Sequence, residues 1–197
     1  VIVDEQWFRL LRTLADGGVV VALPHMGSWD LAGAFGSLDG IQLSTVAEEL
    51  PAGQFAYFRD LRTRFGMTIY SHHDTGALAS LRADLRRGRL VGLVADRDFT
   101  RHGVPVVWQT GSGPVSVRMP QGPAALAQEL QVPLFALVCS FEGSRMRIDV
   151  SEPIVPSKDE QALTEATQYL ADFFSSKIRQ HPVDWHMMQR FFPGVNA

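Results

Sequence analysis

Along the chain the apolar positions switch repeatedly between a helical and a strand period. Trp7, Leu10, Leu11 and Leu14 recur at helical spacing, and Gly17-Gly18 ends that helix. Val19–Leu23 is a continuous apolar run of strand length, the pattern of a strand buried on both faces. A helix is expected over 28–38, a short strand over 43–46, and a further helix opened by Pro51, with Phe55, Phe58 and Phe65 on one side and Gly66 at its end. Residues 67–70 read as a strand, 77–87 as a helix and 90–95 as a second buried strand. The segment 99–118 is rich in Gly, Pro and short β-like pieces and reads as loop or edge ribbon. A helix from Pro120 to Leu130, a third buried strand over 133–139, a partly exposed strand over 146–150 and a long helix over 159–180 complete the pattern. A terminal segment holding Trp185 follows.

Strands alternating with helices predict an α/β fold with a mostly parallel sheet and extra antiparallel strands late in the chain. With no repeat, low-complexity tract or linker, residues 1–197 read as a single domain. No apolar run approaches the roughly 20 residues needed to span a bilayer, and the amphipathic start does not resemble a signal peptide.

Composition narrows the function. The 18 basic and 21 acidic side chains leave a net charge of −3, which argues against a dedicated nucleic-acid binder. Of the basic residues only Lys158 and Lys177 are lysine. Arginine grips phosphate and carboxylate bidentately, although genomic base composition produces the same bias. The single cysteine, Cys139, excludes an internal disulfide and any zinc site built on several thiolates. It sits mid-strand and reads as a buried filler.

In open α/β sheets reactive groups gather where strands end and helices begin. Two buried strands end there in polar clusters, Pro24-His25-Met26-Gly27-Ser28-Trp29-Asp30 and Asp96-Arg97-Asp98. On a regular helix His25 and Asp30 would diverge, because five residues turn through about 500°. With His25 in the turn, Gly27 permitting the bend and Ser28 capping the helix, the two side chains can meet. A carboxylate on one imidazole nitrogen would fix the tautomer and leave the other as a general base. Against this stands the plainer possibility of an acid placed favourably in a first helical turn beside an incidental loop histidine.

The His25-Met-Gly-Ser-Trp-Asp30 stretch resembles the His-x-x-x-x-Asp signature of the glycerolipid acyltransferases, within them the lipid A and phosphatidylinositol mannoside acyltransferase branch. Leu23-Pro24-His25, Thr45-Val46-Ala47-Glu48, Ala95-Asp96-Arg97-Asp98, Met119-Pro120-x-Gly122-Pro123-Ala124 and Asp184-Trp185-His186-Met187 follow in the order expected of that branch. The matches run from about residue 17 to residue 190. The resemblance implies a glycerol-3-phosphate acyltransferase-like fold, a twisted mixed sheet flanked by helices, and a longer N-terminal helical region that this chain lacks. It also implies an acyl-CoA-dependent O-acyltransferase that moves a palmitoyl-type chain onto a mannose hydroxyl of phosphatidylinositol mannosides. No cofactor beyond the acyl-CoA co-substrate is implied. The implied partners are the acyl-CoA donor, a phosphoglycolipid acceptor and the inner membrane surface, with peripheral attachment to the cytoplasmic face of the cell membrane.

Carried across residue by residue, the resemblance makes His25 the general base and Asp30 its orienting or supporting acid. The branch carries Glu where this chain has Asp96, a side chain longer by about 1.5 Å. Asp96 can approach His25 directly, through a water, or leave the main role to Asp30. Glu48 and Arg62 match site-lining positions, and Arg62 can pair with Glu48 or Asp96, or belong to a solvated stripe with Arg59 and Arg64. Arg97 can meet a substrate phosphate or pair with Asp98. Asp184 and His186 have a supporting look, with a structural cap the alternative for His186.

A sugar hydroxyl attacking a thioester needs a poised base and no acyl-enzyme. The oxyanion would take backbone N–H donors near residues 27–29. Phe55, Phe58, Phe65, Leu93, Gly33, Ala34 and Gly36 are candidates to line an acyl slot, core packing being the alternative for the aromatics. Phe8, Leu11, Arg12, Phe191 and Phe192 are candidate membrane contacts, with buried packing equally open to the apolar ones. Gly111-Ser112-Gly113 lacks a phosphate-loop continuation, and no Gly-x-Ser-x-Gly elbow is present. His72-His73-Asp74 lies in a polar turn and is assigned no metal. Another glycolipid or lipid A-type acceptor, and a non-catalytic acyl-CoA- or lipid-binding module, are the competing functions.

Overall fold

The computed structural model describes residues 1–49, 54–98, 102–188 and 191–192, without the side chains of Gln54 and Phe55. The chain runs β1 (Ile2–Val3), α1 (Glu5–Asp16), β2 (Val19–Leu23), α2 (Trp29–Leu38), β3 (Leu43–Ala47), α3 (Gln54–Arg64), β4 (Thr68–Ser71) and α4 (Ala77–Arg86). It continues through β5 (Leu90–Val94), β6 (Val104–Thr110), β7 (Gly113–Met119), α5 (Gly122–Leu130), β8 (Leu134–Glu142), β9 (Arg145–Val150) and α6 (Glu160–Gln180). Pro51, expected to open α3, lies outside the described residues.

Seven strands form one sheet in the order β1-β9-β8-β2-β5-β3-β4. β8, β2, β5, β3 and β4 are parallel, and β9 returns antiparallel to β8. The architecture is therefore the α/β, mixed and mostly parallel sheet that the sequence pattern predicts. Two parts of it differ from expectation. The first residues add β1, parallel to β9, and the expected ribbon after β5 is a regular antiparallel hairpin, β6–β7, forming its own two-stranded sheet. Gly111-Ser112-Gly113 spans its turn and the start of β7.

Alternation along the buried strands splits the core in two. Val20, Ala22 and Val91 join α4, α5, α6 and the hairpin on one face, where Trp108, Phe174 and Leu170 are fully enclosed or nearly so. Val19 and Val21 join Trp7 and Leu10 of α1 and Ala32 of α2 on the other. α1 is fixed by Asp4, whose carboxylate accepts from the amides of Gln6 and Trp7, and α2 by Ser28, whose hydroxyl accepts from the Leu31 amide. Chain order reverses around β2, with β5 on one side and β8 on the other, so their C-terminal ends open the crevice where such sheets bind ligands.

Candidate active site

β2 and β5 pair in register from Val19↔Leu90 to Leu23↔Val94, and the Ala95 amide donates to the Leu23 carbonyl. Continued by two residues, that register sets His25 opposite Asp96, and adjacent strands lie only about 4.8 Å apart. The short Asp is thus long enough. His25 Nδ1 and Asp96 Oδ1 are 2.6 Å apart, a direct contact with no need of a bridging water. Asp96 is completely buried, whereas the His25 side chain keeps 30% of its surface exposed.

Burial pushes the Asp96 carboxyl up, but the hydrogen bond and charge of His25 and the N–H of Trp185 outweigh it and hold the group below the ordinary carboxylate range. An ionised Asp96 makes Nδ1 the donor, so in the neutral imidazole Nε2 is the nitrogen that can accept a proton.

Asp30 stands elsewhere. Its two oxygens accept from Arg62 Nε at 2.6 Å and Arg62 Nη2 at 3.2 Å. The expected Asp30–His25 contact and the expected pairing of Arg62 with Glu48 or Asp96 are both replaced by this bidentate pair. Arg62 also lies over the Trp29 ring at 4.4 Å and the Phe58 ring at 5.6 Å. It is buried, unlike Arg59 and Arg64, so it does not belong to a solvated stripe. The pair ties α3 to the first turn of α2.

A cavity of about 380 Å³ opens beside His25 and runs under α2. His25, Trp29, Glu48, Arg62 and Arg97 lie along it, and its deeper wall is apolar, with Trp7, Leu10, Ile41, Leu90 and Leu137. Gly33 and Gly36 of α2 and Gly92 of β5 belong to the lining. The glycines of α2 let neighbouring side chains pack close to the helix: a Cβ on Gly33 would meet Met67 at 2.5 Å, and one on Gly36 would meet Ile41 at 3.2 Å.

Other expected lining residues fall away. Leu93 points to the opposite core, Phe65 is exposed, and neither Phe58 nor Ala34 reaches the cavity. The Phe55 side chain lies outside the described part.

The segment after α6 straps this site down. The Gly27 amide donates to the Asp184 carbonyl at 2.8 Å, the His186 amide donates to the His25 carbonyl at 2.7 Å, and Met26 bridges Trp185. Asp184 Oδ2 accepts from the Phe141 amide, and His186 Nε2 lies 3.0 Å from the Gly27 carbonyl. Both residues therefore hold backbone and do not line the cavity. Gly27 is obligatory here: its φ is +60°, and a Cβ would lie 2.5 Å from the Cys139 carbonyl oxygen. Because its amide is taken by Asp184, an oxyanion donor at the start of α2 has to come from Ser28 or Trp29.

Sequence reasoning missed Trp185 as a site residue. Its Nε1 donates to Asp96 Oδ2 at 2.9 Å. The available signal was a tryptophan set in a polar Asp-Trp-His segment, since a packed indole N–H needs an acceptor.

Phe191 and Phe192 are half-buried and pack on Trp185 and the hairpin core. On α1, Phe8 and Arg12 are exposed and Leu11 packs on the core. Cys139 is buried and its thiol is pushed up to about 12 by desolvation, with Asp149 adding to the rise. His72 and His73 stack at 3.8 Å, and His72 Nδ1 accepts from the Glu49 amide. Among the described residues no group of three or more His, Cys, Asp or Glu could hold a metal ion, and no helix is long and apolar enough to cross a membrane.

The family model described as bacterial lipid A biosynthesis acyltransferase matches residues 10–193. A phosphatidylinositol mannoside acyltransferase of Mycobacterium tuberculosis (strain ATCC 25618 / H37Rv) is 39% identical over 186 residues, covering 92% of this chain and 57% of that protein. Another, from Mycolicibacterium smegmatis, is 35% identical over 190 residues, covering 95% of this chain and 60% of that protein. The chain thus spans less than two thirds of the length of these relatives.

Proposed function

From the premise that this chain belongs to the bacterial lipid A biosynthesis acyltransferase family, we propose that it moves a long fatty acyl group from acyl-CoA to a mannose hydroxyl of a phosphatidylinositol mannoside. The observation that carries the reading is the His25–Asp96 pair at the mouth of an apolar cavity.

The hydroxyl gives its proton to His25 Nε2 as its oxygen attacks the thioester carbonyl. Asp96 accepts from Nδ1 throughout and stabilises the imidazolium that forms. The tetrahedral intermediate then collapses: the C–S bond breaks, the ester remains on the sugar, and the imidazolium proton passes to the departing CoA sulfur. Direct attack needs no acyl-enzyme, and the buried Cys139, with its raised pKa, is no candidate nucleophile at neutral pH.

The acyl chain lies in the apolar cavity under α2, whose lining includes Gly33, Gly36 and Gly92, while Glu48, Arg62 and Arg97 line it with groups for the polar parts of donor and acceptor. The reading includes peripheral attachment to the cytoplasmic face of the cell membrane, with exposed Phe8 and Arg12 of α1 as contacts. The family description leaves a second reading, a different glycolipid acceptor on the same machinery.

The test is CoA release from palmitoyl-CoA by the full-length protein, with mannosylated phosphatidylinositol, with a lipid A precursor and with neither. Release stimulated by the mannoside and absent from His25→Ala is the expected result. Stimulation by the lipid A precursor alone would transfer the proposal to the second reading. Tight palmitoyl-CoA binding without release would make the protein a lipid-binding module.

A further inference from the structure

Trp185 is half-buried and flanked by aromatic rings. Its ring stacks on Trp108 of β6 at 5.8 Å and 16°, and the edges of Phe191 and Phe192 meet it at 5.2 and 6.3 Å. The backbone on either side is fixed too, because Asp184 and His186 are bonded to Gly27 and His25. Held by these contacts, the ring directs its N–H at Asp96 Oδ2. Asp96 therefore has one side-chain donor on each oxygen, Trp185 at 2.9 Å and His25 at 2.6 Å, and the His25 backbone N–H adds to them. The two side-chain donors, one on each oxygen of a fully buried carboxylate, set its plane, and the plane sets which way the imidazole faces.

We infer that Trp185 is a positioning residue for the catalytic pair, acting through Asp96 without touching substrate. The inference rests on the reading of His25 and Asp96 as the base pair. It assigns the strap after α6 a task beyond packing: it brings the second side-chain donor, which helps hold Asp96 ionised and aligned on His25.

Removing the N–H has a definite sign. With one donor fewer on the anion, the pair takes up its inactivating proton at higher pH, whichever residue that proton is counted to. Among the described residues, the charged and titratable groups about the pair and its cavity include Glu48 just after β3, Asp30 of α2 with its partner Arg62 of α3, Arg97 after β5, and Asp184 and His186 from the strap. All of them remain in a Trp185 variant.

The experiment uses the full-length protein. Trp185→Phe removes the donor and keeps an aromatic face. Benzothienylalanine at position 185 keeps the bicyclic shape with sulfur in place of N–H, and serves if the smaller ring fails to pack. Trp108→Phe keeps an aromatic face against the Trp185 ring and leaves the donor. The expected result is a kcat for acyl-CoA turnover lowered about tenfold, a little-changed KM and an acid limb moved to higher pH in both donor-less proteins. Trp108→Phe leaves the limb in place.

The His25 ring, assigned in nitrogen NMR by its loss in His25→Gln, reports the same displacement without turnover. If wild-type protein shows no His25-dependent turnover, the proposed function falls and the NMR titration alone decides the role of Trp185. An acid limb and a ring titration unmoved in both donor-less proteins would overturn the inference.

Discussion

Asp96 lies two residues past β5 and Asp30 in the first turn of α2, and each holds a nitrogen partner at 2.6 Å, but Asp96 is fully buried on His25 while the Asp30 side chain is 40% exposed on Arg62. Only Asp30 shares a sequence motif with His25. The difference shows that spacing along the chain proposes partners, whereas register across the sheet selects them. Strand pairing delivers Asp96 to His25 across 71 residues, and the Ser28-capped helix carries Asp30 toward α3. Burial then separates their tasks. In a dry setting the Asp96 charge acts strongly on one imidazole, while at the surface water screens the Asp30 pair.

The largest effect that can break this comparison is non-additivity. His25→Ala is expected to lower acceptor-dependent turnover about 10²–10⁴-fold. Adding Asp96→Asn to it should cost little more, because residues that act as a unit are lost together. Adding Asp30→Asn should multiply the loss by its own separate factor. Steady-state rates of the two double variants decide it, and equal coupling of both acids to His25 would erase the distinction.

A smaller effect belongs to Arg62. Arg62→Gln removes the bidentate pair and the contact with Trp29, so thermal unfolding should register a loss on the order of 1 kcal/mol after screening. Turnover should change mainly through KM, because Arg62 lines the cavity mouth. A kcat collapse with KM unchanged would place this cluster in the chemistry.

The smallest effect is acid stability. Asp96 is lowered on folding, the lowering by His25 and Trp185 prevailing over the rise from burial. Its contribution is complete above the unfolded carboxylate value of about 3.9 and is lost as pH falls through the lower folded value. Asp96→Asn should therefore flatten the decline in stability below about pH 4, measured by denaturant unfolding at a series of pH values. An unchanged slope would mean that the carboxylate gains nothing from its partners.

Much of the fold was legible because the strands buried on both faces leave continuous apolar runs, as in Val19–Leu23, and because Gly17-Gly18 and Ser28 mark helix boundaries. β1 was not, since two residues become a strand only through the partner they find in β9. At the site, His25 and Asp96 stood out individually, and the Asp seemed short for its task. Only the β2–β5 register removes that difficulty. The Asp30–Arg62 pair depends on how α3 lies against α2, which helical periodicity within either segment does not encode. Trp185 was hidden for a related reason: its function is one hydrogen bond across 89 residues.

The most direct measurement sets Asp96→Asn beside Asp30→Asn in one assay of acceptor-dependent CoA release, with folding of both checked by thermal unfolding. Asp96 as the working acid predicts a loss of about 10²-fold or more in kcat for Asp96→Asn and less than about tenfold for Asp30→Asn. The reverse order in two folded proteins would contradict the account and return the task to the acid that shares the motif with His25.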